Sequence, residues 1–292
     1  MTCQAGTVVA VLGTGAIGAP VARRLASAGC TVRAWDRDRA RTSALAGEGI
    51  EAAASAQGAV TAADAVLLLL PDGSAVAEAL DAILPALRPA VLVVDLTTSS
   101  VAEKREFAER VRDAGGRPAE APFFGTVPQA EAGELFAVVG CDDADEADVA
   151  AVLAPLCSGL HRYGGVGDAS ALKLAANVLV FPMVELIGEA LRLAEAQGVE
   201  PAALLALLEA GTGVRAPIYL ARGRLMVDGD FTARASVALA AKDLALIHDA
   251  AEAAGLELPL LERTRAVFAD ACAAGLAGED MAAVYKLVGT RA

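Results

Sequence analysis

Short apolar runs alternate with longer amphipathic stretches through the first half of the chain. Thr7–Leu12 is a continuous β-rich run, followed by Thr31–Trp35, Ala65–Leu70, Val91–Leu96 and Leu135–Gly140. Apart from Thr31–Trp35 they lack the polar alternation of a half-exposed sheet, and helix-patterned segments such as Ala16–Ala28 and Val101–Ala114 stand between them. Strands apolar on both faces and joined through helices predict a parallel sheet covered on both sides. The expected fold class is α/β, with a doubly wound N-terminal sheet.

The pattern changes after Gly164-Gly165-Val166-Gly167. Asp168 can cap a long helix running toward Gln197, where Gly198 supplies a stop. Helices follow, broken at Gly211–Gly213, Gly229, Leu258-Pro259 and Gly275–Gly278, with no further strand-like run. A chain of 292 residues is long for one core, since single cores stop growing at about 250–300 residues. The expected domains are therefore 1–165, with the sheet, and an all-helical 166–292. No internal repeat is evident.

Composition narrows the function classes. The chain is 55% hydrophobic and 21% charged, with 4% aromatics, so there is ample apolar surface to bury and no signature of disorder. Net charge is −13, which excludes nucleic acid as a partner for the surface at large. The N-terminus lacks the basic flank and long apolar stretch of a signal peptide, and Ala65–Leu70 is too short to span a bilayer. A cytoplasmic protein without membrane contact is expected. The five cysteines, Cys3, Cys30, Cys141, Cys157 and Cys272, are scattered without a C-x-x-C pair. That spacing suits neither a disulfide framework nor a zinc site. With two histidines, His161 and His248, neither a metal site nor a Ser-His-Asp triad is expected.

Gly13-Thr14-Gly15-Ala16-Ile17-Gly18 follows the first strand and opens the first helix. In that context G-x-G-x-x-G is a dinucleotide-binding turn of the Rossmann type. Gly13 allows the tight turn, Gly15 lets the backbone approach a pyrophosphate, and Gly18 lets helix and strand pack closely. Ala16 and Ile17 complete the turn. Asp36 ends the second strand, where a carboxylate can hydrogen-bond an adenosine ribose and repel a 2′-phosphate. Arg37 beside it can stack on adenine or pair with the 2′-phosphate of NADP, whereas Arg39 and Arg41 read as a solvated helix face. The cofactor is NAD or NADP, leaning to NAD. A polar interruption marks the helix after Gly167. Leu172 to Ile187 is apolar nearly all round, yet Lys173 and Asn177 lie four residues apart on one face. A buried lysine has its pKa lowered toward neutrality and suits proton transfer. The alternative is a lysine snorkelling from the first turn.

Across nearly its whole length the chain resembles the β-hydroxyacid dehydrogenases. The matching blocks, in order, are Gly13–Gly18; Leu70-Pro71; Asp95-Leu96-Thr97-Thr98; Ala121-Pro122 through Ala130-Glu131-Ala132-Gly133; Gly167 with Lys173 and Asn177; and Lys242-Asp243-Leu244. The resemblance implies an NAD(P)-dependent oxidoreductase moving a hydride between nicotinamide and a small β-hydroxy acid or the matching semialdehyde. Lys173 would be its general acid and base, with Asn177 orienting the substrate or the lysine. Leu70, Pro71, Thr98 and Lys242 would join the glycine turn, Asp36 and Arg37 around the cofactor. Phe124, Gly125, Thr126, Asn177 and Asp243 would bind an acidic small-molecule substrate. Where the family's loop reads Ser-Gly-Gly, this chain has Phe124-Gly125-Thr126. Phe124 either walls the pocket or packs into the core, and Thr126 offers a replacement hydroxyl. Imine reductases share the architecture but generally lack the lysine, and a redox-inactive dinucleotide-binding scaffold would have lost it. The resemblance also implies a homodimer or dimer of dimers, and Ala202–Leu208 and Ala235–Ala241 are rich enough in Ala and Leu to form the contact.

Overall fold

The computed structural model describes residues 6–47, 49–211 and 216–289. Cys3 and part of the break at Gly211–Gly213 lie outside these residues. The chain divides into two compact units, Met1–Lys173 and Leu174–Ala292. The division falls inside the helix Asp168–Ala196, beyond the change of pattern at Gly165.

The first unit is built on strands β1 (Val8–Leu12), β2 (Thr31–Trp35), β3 (Ile50–Ala52), β4 (Ala65–Leu68), β5 (Leu92–Asp95), β6 (Arg117–Glu120), β7 (Phe123–Phe124), β8 (Leu135–Cys141) and β9 (Cys157–Arg162). They form one sheet in the order β3-β2-β1-β4-β5-β6-β8-β7, with β9 beside β8. From β3 to β6 every neighbour is parallel. β8 then runs antiparallel to both β6 and β7 and parallel to β9. The apolar strands are sealed on both faces. Val9, Val11, Leu67 and Val94 pack into one cluster, and Ala10, Leu12, Val66 and Val93 into another. That is why they carry no polar alternation.

The second unit is helical among its described residues: the rest of Asp168–Ala196, then Pro201–Glu209, Pro217–Asp228, Val237–Ala253 and Pro259–Ala271, closed by short helical segments. Phe181, Val184, Ile187, Leu244 and Phe268 centre its core. Buried Arg222 meets buried Asp280 at 2.7 Å. Asp280 also accepts the backbone N–H groups of Arg234, Ala235 and Ala282, so one carboxylate ties the loop at 234–235 to the start of the helical segment Met281–Leu287.

Two sequence expectations need amending. Cys30, at the entrance to β2, is disulfide-bonded, whereas Cys141, Cys157 and Cys272 are free. The helix Asp168–Ala196 is long and apolar enough to cross a membrane, but half of its most apolar window is buried in the protein. Lys173, Asn177 and Glu185 are buried on it too, which is the pattern of a core helix. It is not apolar-buried all round: Leu172, Leu179, Leu186 and Leu193 are exposed.

Candidate active site

β1 ends at Leu12 and the chain turns directly into the helix Gly18–Ser27. Gly13 has φ 96°, and a Cβ there would overlap the Leu69 carbonyl. A Cβ on Gly18 would overlap the Gly13 carbonyl. The fold itself therefore demands glycine at both places. Gly15 differs: the nearest atom to a Cβ there is Arg41 Nη1, at 3.7 Å. The space beside Gly15, at the entrance to a ten-residue helix, suits the close approach of a pyrophosphate to backbone N–H groups. Ala16 is exposed, and Ile17 packs against the sheet core rather than facing this space.

Asp36 follows β2 and is clamped to the turn. Its carboxylate accepts the Thr14 N–H at 2.7 Å and the Asp38 N–H at 2.9 Å. A carboxylate has further lone pairs to offer, so a ribose hydroxyl has a fixed acceptor here and a phosphate meets a fixed negative charge. Arg37 is exposed and pairs with Glu78 at 3.2 Å. Arg41 pairs with Asp38 at 3.3 Å and is the cation nearest Gly15, although its sequence context reads as a solvated face.

Leu70 and Pro71 follow β4, and Thr97 and Thr98 follow β5. The Leu70 N–H donates to Thr97 Oγ1 at 3.1 Å, and the Thr97 N–H to Asp95 Oδ1 at 2.9 Å. Because β2, β1, β4 and β5 are neighbours, their carboxyl ends carry Asp36, the glycine turn, Leu70-Pro71 and Thr98 along one edge. That edge is where ligands bind in open α/β sheets.

The same edge continues past β6. Phe123 and Phe124 pair with Ala137 and Phe136 of β8. Gly125 follows with φ 129°, and a Cβ on it would press against Leu135 Cδ2 at 2.8 Å. Thr126 caps the helix Val127–Ala132. Its N–H and its hydroxyl both donate to Gln129 Oε1, at 2.9 and 2.6 Å. The Lys173 Nζ lies over the Phe124 ring, 3.6 Å from its centroid, and Lys173 is 8% exposed.

In the helical unit, buried Asn177 donates through Nδ2 to Asp243 Oδ2 at 3.3 Å. The neighbouring Lys242 ammonium meets Asp243 Oδ1 at 3.1 Å. Asn177 thus stands with Asp243 and Lys242, and one helical turn from Lys173.

The sequence gives no warning of a buried charge network behind this edge. Lys104, 1% exposed, donates to Asp95 Oδ2 at 2.5 Å and to the Thr97 carbonyl at 2.6 Å. Fully buried Glu120 accepts the N–H groups of Gly167 and Ser170 at 2.7 and 3.1 Å, and the Ser170 hydroxyl. Burial pushes the Glu120 pKa up, opposed by Ser170 and by the charge of Lys104. Lys104 sits in a strongly charged helix sequence, so only the tertiary fold reveals it as interior.

Residues 8–165 match the family described as the NAD binding domain of 6-phosphogluconate dehydrogenase. Residues 167–288 match that described as NAD-binding of NADP-dependent 3-hydroxyisobutyrate dehydrogenase. A probable 3-hydroxyisobutyrate dehydrogenase of Mycobacterium tuberculosis is 32% identical over 98% of this chain and 99% of its own. The 2-(hydroxymethyl)glutarate dehydrogenase of Eubacterium barkeri is 27% identical over 96% of this chain and 94% of its own. Among solved structures, the M. tuberculosis 3-hydroxyisobutyrate dehydrogenase with L-serine superposes with a TM-score of 0.86 at 31% identity, covering 99% of this chain and 100% of that one. With the glycine turn, Asp36 and the sheet order already in place, these matches make the chain an NAD(P)-dependent oxidoreductase belonging to the 3-hydroxyisobutyrate dehydrogenase family of β-hydroxyacid dehydrogenases.

Proposed function

We propose that the protein interconverts a small β-hydroxy acid and the matching semialdehyde acid in the cytosol, with NAD(H) preferred over NADP(H), and that Lys173 moves the proton. The observation that carries this reading is Lys173 itself: a lysine 8% exposed, its ammonium set over an aromatic ring on the sheet edge that holds the dinucleotide turn. Lysines are seldom so buried unless paired, and this one stands at the ligand-binding edge, whereas Lys104, paired with Asp95, lies behind it.

The space at Gly15 receives the pyrophosphate, with Arg41 supplying positive charge beside it. Asp36, clamped by Thr14, accepts from the ribose and disfavours a 2′-phosphate. Leu70, Pro71 and Thr98 line the same edge, and the resemblance adds Lys242 to the cofactor residues. When bound, the nicotinamide supplies the hydride to the substrate's carbonyl carbon, or takes it back. Lys173 Nζ donates a proton to the carbonyl oxygen as it becomes a hydroxyl, and accepts that proton in the oxidative direction. Asn177, held by Asp243, orients the oxygen or the lysine. Gly125 offers its backbone N–H to the substrate carboxylate. Thr126 can donate to it only by releasing Gln129. We also infer a homodimer, supported by exposed leucines on the helix Asp168–Ala196.

The test is turnover of a panel of semialdehyde acids with NADH and with NADPH, in the wild type and in Lys173→Ala. The variant is expected to keep its cofactor affinity and lose about 10²- to 10⁴-fold in turnover, the scale of general acid–base catalysis. Turnover near wild type on the best substrate removes Lys173 from the mechanism.

A further inference from the structure

We propose that Phe124 is a positioning residue whose ring face seats the ammonium of the proton-transferring lysine. The inference rests on the reading of Lys173 given above and adds a residue to it. Lys173 Nζ stands 3.6 Å from the Phe124 centroid, well inside the range of about 6 Å over which a cation is drawn to a ring face. The ring is half-buried and fixed at both ends. Phe124 is a strand residue in register with Phe136, and Gly125 after it sits so close to Leu135 and Gln129 that a Cβ there would crowd both. The seat is therefore made by the backbone of the sheet and does not depend on a mobile loop.

What the ring does chemically follows from what it lacks. A lysine has four rotatable side-chain bonds, and a catalytic ammonium must be held in one place before the substrate arrives. A carboxylate would hold it, but would also accept its hydrogen bond and stabilise its charge strongly. A hydroxyl has no extended face and competes as a hydrogen-bond acceptor. An aromatic face attracts the charge while accepting none of its N–H bonds in the ordinary sense. The ring itself takes none of the ammonium's N–H donors, so seating the charge does not of itself use up the proton meant for the substrate oxygen. Phe124 occupies the place where the resemblance expects a serine, so this chain exchanges a substrate donor for a seat beneath the lysine.

The experiment measures kcat, KM and NADH affinity for Phe124→Tyr and Phe124→Leu, each in the wild-type and in the Lys173→Ala background. Leucine keeps an apolar side chain of similar bulk without a π face, and tyrosine keeps the face. Phe124→Leu is expected to lower kcat about 3- to 30-fold, the range spanned by exposed to desolvated cation–π contacts. NADH affinity should be unchanged, KM should move less than kcat, and Phe124→Tyr, which keeps the ring face, should lose clearly less kcat than Phe124→Leu. In the Lys173→Ala background Phe124→Leu should cost nothing further, because there is no ammonium to seat. An undiminished kcat in Phe124→Leu overturns the proposal, as does an equal loss in both backgrounds or a tyrosine variant as slow as the leucine one. If Lys173→Ala itself turns over normally, the lysine reading fails first, and that outcome is visible in the same data.

Discussion

Gly15 separates what the fold needs from what a ligand needs. Gly13 and Gly18 leave no room for a Cβ because backbone carbonyls already fill the space, whereas Gly15 has open space to 3.7 Å. Gly15→Val is accordingly expected to fold with little change in melting temperature and to lose measurable NADH binding, read by fluorescence titration. Gly18→Val, by contrast, should fail to fold. Unchanged NADH affinity in a folded Gly15→Val protein would falsify the assignment of this turn. At this scale the sequence was most legible where chemistry is local. A glycine triplet after a strand, an acid at the end of the next strand and a lysine interrupting an apolar helix each carry their meaning within a few neighbours. Contacts between segments far apart in the chain were not legible. The Lys173–Phe124 stacking, the Gln129 contact that engages the Thr126 hydroxyl and the approach of Arg41 to Gly15 all depend on how strands are ordered.

Among the elements, the strands buried on both faces stood out as apolar runs. Those that escaped notice are short, at an edge or polar. β3 has three residues, β6 begins Arg117-Pro118 and ends in Glu120, β7 has two residues, and no residue of β9 is fully buried. The polar end of β6 nevertheless anchors the element that matters most for the site. Glu120 accepts the Gly167 and Ser170 N–H groups and so pins the first turn of the helix that bears Lys173. Its burial has a consequence for stability against pH. With its folded-state pKa raised, Glu120 holds its proton more tightly in the native protein than in the unfolded chain. Stability therefore falls as pH rises from the ordinary glutamate range through the raised value, and is level above it. Glu120→Gln retains an acceptor for the two N–H groups and removes the titration. The melting temperature of Glu120→Gln relative to wild type should climb as pH rises through that window, measured by calorimetry at a series of pH values. A difference independent of pH would mean that Glu120 does not titrate in the folded protein.

At the scale of the whole molecule, the question is what covers the helix Asp168–Ala196. Leu172, Leu179, Leu186 and Leu193 are spaced by seven and exposed, Leu179 and Leu193 each to 63%. Ala176, Met183 and Ala190 fall four residues after the first three of these leucines, completing an alternating stripe of the kind that packs helix against helix. Single exposed leucines are unremarkable, but a continuous stripe of them marks an interaction surface. The expectation from sequence looked instead to Ala202–Leu208 and Ala235–Ala241, each of which presents a single exposed leucine, Leu207 and Leu239. We take a second copy of the chain as the occupant to be tested. It presents the same stripe with the same spacing, so an interface related by twofold symmetry sets leucine against leucine along its length. We predict that the protein is a dimer at micromolar concentration by light scattering. Changing Leu179→Glu and Leu186→Glu together should yield a monomer of unaltered helical content that still binds NADH, because neither leucine lies on the cofactor edge of the sheet. Placing carboxylates face to face in an apolar contact costs several kcal/mol, enough to shift a dimer of ordinary affinity beyond the concentrations of the assay. A wild type that is monomeric, or a double variant that remains dimeric, would show that this stripe is not the surface through which two copies meet.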